Sequence, residues 1–235
     1  MRPLFEELDS SDTPMGTISL RRRTDPSRGD VYEVKLDDEF LMSSAFTVAE
    51  VELARRGLTA VEGTGLDVVV GGLGLGYTAV AALEDPRVGS LVVVEALDEV
   101  IGWHRRRLLP DAVALASDPR ARLVRGDVFA MARGEVGFDP EAPGRRFDAV
   151  LLDVDHSPRN VLHPSHAPFY TASGVRQLAR FLAPGGVFAL WSDDPPDEAF
   201  LRVLGEVFTT ATPHVVSFPN VHAGSESSNT VYVAS

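Results

Sequence analysis

A chain of 235 residues with 44% hydrophobic and 24% charged content suits one large α/β domain with a small appendage. Without cysteine it has neither a disulfide framework nor a thiolate metal site. A net charge of −12, with one lysine (Lys35) among 22 basic residues, argues against nucleic acid as a partner and suits a cationic one.

No apolar run approaches the roughly 20 residues needed to cross a bilayer. The acidic start MRPLFEELDSSDTP lacks the apolar stretch of a signal peptide. The expectation is a cytoplasmic protein with no membrane partner. Within residues 1–45, GTISLRRR (16–23) and DVYEVKL (30–36) alternate as short strands do, and TDPSRG (24–29) between them is rich in turn formers. This predicts an N-terminal β-hairpin arm, with Arg21, Arg22 and Arg23 on an exposed strand face rather than in an anion site.

From residue 46 helices and strands alternate, marking out a domain over 46–235. FTVAEVELARRGL has helical periodicity, LDVVVGG (66–72) is a β-branched run ending in glycines, and YTAVAALEDP is a helix stopped at Pro86. Further strands are predicted at 90–96, 121–127, 147–155 and 185–194. Helices are predicted from 97 to Pro110, at 172–182 and at 196–207. Short apolar strands between helices mean a parallel sheet covered on both faces. PHVVSF (213–218) and NTVYVAS (229–235) leave no room for a crossover helix, so they should pair antiparallel.

Ligands of such sheets sit beyond the carboxyl ends of the strands. The first strand of this domain runs into VVVGGLGLGYTA, where glycines allow close backbone approach and a helix N-terminus follows. Gly72-x-Gly74-x-Gly76 fits an S-adenosylmethionine (SAM) loop, while Gly74-x-Gly76-x-x-Ala79 fits a dinucleotide loop. Glu95 follows at about the distance where an acid grips ribose hydroxyls. Asp127 ends a third strand and can either read an adenine amino group or cap the helix VFAMAR.

The stretch LLDVDHSP (151–158) raises the sharpest question, because carboxylates at the end of an apolar strand cost free energy unless something pairs with them. Asp153 is placed to take a proton from an acceptor or to hold it, with Asp155 or His156 completing a relay. A rival set, Asp153 with Asp193 and Asp194 of SDD (192–194), has the hard oxygens that bind Mg²⁺. Asp193 and Asp194 also precede PPDEAF, where one of them can cap a helix. His163 and His166 in LHPSHAPFY read as parts of a lid loop. Tyr170 either packs under that lid or touches the acceptor.

VVVGGLGLGYTA, VVVEALDEVI, LVRGDVFA, FDAVLLDVDHSP, FYTASGVRQLARFLAPGGVFALWS and the terminal hairpin occur in the order of one family. Over about residues 30–235 the chain resembles the spermidine-synthase-like (polyamine aminopropyltransferase) branch of the class I SAM-methyltransferase superfamily. The resemblance disfavours the dinucleotide frame. It implies a Rossmann-like, seven-stranded, mostly parallel sheet with a reversed last strand, preceded by a β-arm. It also implies Gly72, Gly74 and Gly76 at the donor, Glu95 on its ribose, Asp127 on its adenine, and Asp153 at the reacting centre. Tyr170 and Asp193 become candidate acceptor contacts, and a homodimer joined through the arm is implied.

The departures point away from ordinary spermidine synthesis. The family's glycine loop carries an aspartate for the amine of decarboxylated SAM where this chain has Gly74. A tyrosine–histidine–glutamate cluster is replaced by residues of EFLMSSAFTVAE, and a late tyrosine by Val221 in FPNVHAG. The family's second aspartate comes three residues after the first, whereas Asp155 follows Asp153 by two. An acid at position 74 would repel the carboxylate of intact SAM; a glycine does not. The expected function is therefore methyl transfer from SAM to a small acceptor. The alternatives are aminopropyl transfer from decarboxylated SAM, a Mg²⁺-dependent O-methyltransferase, and a nucleoside-binding protein without turnover.

Overall fold

The computed structural model describes residues 4–110, 112–220 and 225–235, so Val221 lies outside the described residues. Strands β1 (Phe5–Thr13), β2 (Gly16–Asp25), β3 (Gly29–Leu36) and β4 (Glu39–Ser43) form an antiparallel sheet in chain order. The expected hairpin is its β2–β3 pair, closing with Asp25 opposite Gly29. The sheet is wider than that hairpin because charge makes a strand of β1, whose acidic sequence does not announce one. Glu6 and Glu7 lie opposite Arg22 and Arg21, and Arg22 reaches Glu6 at 2.6 Å. Such cross-strand pairs contribute roughly 0.2–1 kcal/mol each. The arginines are thus not the exposed face expected of them: Arg22 is buried, and Arg23 pairs with Asp25 and Glu33.

The second sheet begins after α1 (Val48–Thr59). It runs through β5 (Leu66–Gly71), α2 (Tyr77–Glu84), β6 (Val88–Glu95), α3 (Asp98–Arg105), α4 (Ala112–Ser117), β7 (Ala121–Arg125), α5 (Val128–Arg133) and β8 (Phe147–Leu152). A 3₁₀ helix (Pro164–Tyr170), α6 (Ala172–Ala179), β9 (Leu182–Ser192), α7 (Glu198–Gly205), β10 (Ala211–Asn220) and β11 (Ser225–Ala234) complete it. The strand order is β10-β11-β9-β8-β5-β6-β7. β11 is antiparallel to both its neighbours, and the other five strands pair in parallel. This is the expected Rossmann-like sheet with its reversed last strand.

The apolar runs behave as a doubly covered sheet requires. Val68 and Val70 of β5 enter one core, and Val69 between them enters the other. In β8 Ala149 and Leu151 face the first core while Phe147, Val150 and Leu152 face the second. With both faces buried, strict polar alternation has no use. Ile18, Leu20, Val34 and Leu36 of the N-terminal sheet join the first core together with Leu73 and Leu75 of the glycine loop. The arm is therefore packed directly onto that loop.

Several boundaries differ from the sequence expectation. β8 stops at Leu152, so Asp153 and Asp155 belong to the loop beyond it. α3 ends at Arg105, well before Pro110, and Arg107 turns the chain with a φ of 59° before α4. β5 bonds to β6 on one side and β8 on the other, which makes the gap past β5 and β8 the switch point where α/β sheets bind ligands. Among the described residues no helix is long and apolar enough to cross a membrane.

Candidate donor and acceptor cavities

The glycine loop leaves β5 under tight constraint. The Gly72 N–H donates to the Val94 carbonyl at 2.9 Å, and the Asp153 N–H donates to the Gly71 carbonyl at 2.8 Å. Gly72, Gly74 and Gly76 all have positive φ, at 93°, 46° and 96°, a region that side chains disfavour. A Cβ at Gly72 would collide with the Asp153 carbonyl oxygen, and one at Gly74 would lie 2.7 Å from the Met42 thioether sulfur. Glu95 ties the loop to β6: its carboxylate accepts from the N–H of Leu73 at 3.0 Å and of Leu97 at 2.9 Å. Burial pushes the Glu95 carboxyl up, against the pull of these N–H donors.

These residues border a cavity of about 440 Å³ that is lined by Gly72, Gly74, Glu95 and Asp127, with Met15 and Val34 of the arm on its far wall. Asp127 also caps α5, accepting from the N–H of Phe129 and Ala130 through Oδ1 at 2.9 and 3.1 Å. The cap uses Oδ1 alone, so capping and lining are compatible. A glycine cradle that any Cβ would fill, beside a buried carboxylate at a strand end, fits a nucleoside with a polar tail.

A second cavity, of about 340 Å³, is lined by Glu50, Asp153 and Asp193 and walled by Phe46, Trp191 and Phe218. Met42, Gly74, Asp153 and Leu162 line both cavities, so Asp153 stands at their junction. Its Oδ2 accepts from the Thr78 hydroxyl at 2.7 Å, and burial pushes its carboxyl up to about 6. Asp193 accepts from the Asn229 amide at 2.6 Å, and His156 lines the cavity with its Nε2 3.1 Å from Glu39 Oε1. Glu50 lies in the first turn of α1, and its carboxyl is pushed up to about 8 by burial and then by the charges of Asp153 and Asp193. Nothing in FTVAEVEL marks Glu50 out, because an acid in a first helical turn is ordinary. Only the tertiary approach of α1 to the end of β8 gives it a chemical environment.

Other candidate residues sit elsewhere. Asp155 is buried and accepts from the Leu162 N–H, His166 Nδ1 and the Tyr170 hydroxyl, each at 2.8 Å. It lines neither cavity, so the relay role expected of it is corrected: it is the knot that holds the loop after β8. Of the two readings of Tyr170, the structure has the packing one, and the residue lines neither cavity. Its hydroxyl is spent on Asp155, its ring packs against Phe129, Phe169 and Phe200, and burial drives its pKa well above the ordinary phenol value. His163 and His166 line the donor-side cavity from this loop.

The Mg²⁺ set is not brought together either. Asp194 lines neither cavity, and its carbonyl accepts from the Thr230 hydroxyl. Among the described residues no group of three or more ligating side chains could hold a metal ion. Nor does Asp193 or Asp194 cap the next helix, since Asp197 caps α7 through the Ala199 N–H. Asp155→Asn should cost about 1–3 kcal/mol of stability by weakening a buried charged acceptor. Urea unfolding would register it, with SAM affinity little changed because the site does not use Asp155.

No family model matches the chain. It is 30% identical over 121 residues to putrescine N-methyltransferase 3 of Nicotiana tabacum, covering 51% of this chain and 28% of that protein. Putrescine N-methyltransferase 2 of Nicotiana attenuata is 29% identical over 120 residues, with 51% and 29% covered. The chain thus spans under a third of the length of these curated relatives. In structure it is similar to spermidine synthase from Thermotoga maritima, with a TM-score of 0.72, 18% identity, and 97% of this chain and 72% of that chain covered. A probable spermidine synthase from Corynebacterium glutamicum gives a TM-score of 0.67 at 17% identity, with 100% and 81% covered. In fold the chain is similar to spermidine synthases, and over about half its length its sequence is similar to putrescine N-methyltransferases.

Proposed function

We propose that this chain transfers the methyl group of intact SAM to a nitrogen of a small cationic amine. The observation that carries the reading is the junction: two cavities meet at Asp153, and the loop residue at that seam is Gly74. Glu95 would hold the ribose hydroxyls and Asp127 the adenine. Gly74 sets no negative charge against the donor's carboxylate, whereas an acid there would favour a donor without one. The sequence relatives named putrescine N-methyltransferases support a methyl donor and an amine acceptor. The fold neighbours named spermidine synthases keep aminopropyl transfer as the alternative.

The chemistry asked of the chain is proton removal and alignment. SAM supplies a methyl carbon on a sulfonium, and an ammonium has no lone pair with which to attack it. Asp153, with its carboxyl at about 6, is ionised at neutral pH yet more basic than a free carboxylate. It takes the ammonium proton; the nitrogen lone pair forms the new C–N bond, and the C–S bonding pair leaves with sulfur. The Thr78 hydroxyl fixes the orientation of the carboxylate.

Calorimetric titration with intact and decarboxylated SAM tests the reading, followed by transfer assays on 1,4-diaminobutane. Intact SAM should bind at least about tenfold tighter, and methylated amine should appear only with intact SAM. Tighter binding of decarboxylated SAM, with an aminopropylated product, would overturn methyl transfer in favour of the alternative.

A further inference from the structure

We infer that His104 is the positioning residue that gives the glycine loop its preference for a donor bearing a carboxylate. The inference rests on the reading of the larger cavity as a SAM site, and adds how the backbone beyond Gly74 meets the donor's tail. The lack of an acid at position 74 only removes a repulsion. His104 supplies the attraction, by fixing which way one peptide group faces.

The loop closes on itself as a β-turn. The Gly76 N–H donates to the Leu73 carbonyl at 2.8 Å, so the peptide joining Gly74 to Leu75 is the central one of the turn. Positive φ at Gly74 and not at Leu75 is the pattern of a type II′ turn. Glycine leaves this peptide conformations that other residues disfavour, and an outside partner selects among them.

His104 is that partner. It is buried on α3, and its Nε2 lies 2.9 Å from the Gly74 carbonyl oxygen. A carbonyl only accepts, so Nε2 carries the proton and donates. The ring also sits against Gly76, where a Cβ would lie 2.9 Å from its Cε1. Residues around His104 brace it from the arm, since the Trp103 indole N–H and the Arg106 guanidinium both donate to Asp9 of β1. The other side of Gly74 is held as well. Burial raises the Glu95 carboxyl, and the Gly74 N–H is among the backbone donors that oppose that rise.

The consequence falls on the next residue. In a planar trans peptide the C=O and N–H point in opposite directions. With the Gly74 carbonyl turned towards α3, the Leu75 N–H is turned away from it. That N–H makes no hydrogen bond among the described residues. Leu75 lines the smaller cavity next to Gly74, which lines both, while His104 lines neither. A donor tail that leaves the larger cavity at Gly74 therefore meets a backbone donor that a carboxylate satisfies. A peptide turned the other way would offer its carbonyl oxygen, which repels a carboxylate and accepts from an amine. His104 thus acts on specificity without touching the ligand.

The test is calorimetry of the full chain with intact SAM, decarboxylated SAM, and methylthioadenosine, which lacks the amino-acid tail. Wild type should favour intact over decarboxylated SAM by about tenfold or more. His104→Gln keeps an N–H near the Nε2 position and should hold that ratio within about twofold of wild type. His104→Leu removes the donor, and the amide of His104→Asn is too short to reach the Gly74 carbonyl. In both, the ratio should fall below about threefold, while methylthioadenosine affinity stays within about twofold of wild type. The ratio is a readout that general damage does not move, since a distorted fold weakens every ligand together. Should the leucine variant fail to fold, the contrast between glutamine and asparagine still decides.

A ratio that survives in the leucine or asparagine variant would overturn the inference and leave methyl transfer standing. A wild type that prefers decarboxylated SAM would overturn both, so the two failures are separable.

Discussion

If the chain transfers methyl as proposed, Asp153→Asn should lower turnover by roughly 10²–10⁴-fold, the range that a positioned general base supplies, while SAM affinity should stay close to that of wild type. The amide keeps the size of the carboxyl and can still accept from the Thr78 hydroxyl, so the junction keeps its shape. What is lost is the capacity to take a proton from the incoming ammonium. Wild-type turnover should rise with pH through about 6, where the Asp153 carboxyl ionises, and the residual rate of the variant should lack that limb.

Stability gives an independent check with its own sign. The folded-state pKa of Asp153 is raised above its ordinary 3.8, so the folded state binds the proton more tightly than the unfolded chain does. Its carboxylate therefore weakens the fold increasingly as pH climbs from about 4 to about 6, and by a constant amount above that. Asp153→Asn should melt no lower than wild type at pH 7, with any advantage shrinking as pH falls through that window. A residue kept for structure would behave the opposite way. A protein that binds the nucleoside without turnover would show no rate to lose.

How much of this could be read from residues alone follows from what each signal depends on. The glycine loop, Glu95 and Asp153 are legible because backbone sterics and strand ends dictate them: a β-branched run, a required positive φ, and an acid just past a buried strand. Asp155 misleads for a physical reason. Extending β8 to residue 155 puts Asp153 and Asp155 on one face by the two-residue period, but the strand stops at Leu152 and the loop turns Asp155 inward to His166 and Tyr170. The partners that decide its role lie up to 15 residues on, in a loop with no periodicity. Glu50 is illegible for a related reason, since its neighbours Asp153 and Asp193 are more than a hundred residues away in sequence. β1 hides because cross-strand arginines, not apolar alternation, stabilise it.

Gly72→Ala should be among the most damaging small substitutions in the chain, costing about 2–5 kcal/mol. Left-handed backbone at a residue with a Cβ accounts for roughly 1–2 kcal/mol, and overpacking a closed site adds roughly 1–3 kcal/mol. The new methyl is aimed at the Asp153 carbonyl oxygen. That atom is main chain, and the Asp153 N–H is itself bonded to the Gly71 carbonyl at 2.8 Å, so neither side can yield without parting β5 from β8. The damage must therefore reach the chemistry, because the segment displaced carries the proposed base. Gly144→Ala is the internal control: its φ is 76°, but open space surrounds it, so only the roughly 1–2 kcal/mol backbone cost applies. Urea unfolding of both variants separates the two contributions, and SAM titration should show weakened binding for Gly72→Ala alone. Equal stability losses in the two variants would mean that the loop yields at position 72, and that the fixed approach of the glycine loop to Asp153 is not what holds the two cavities together.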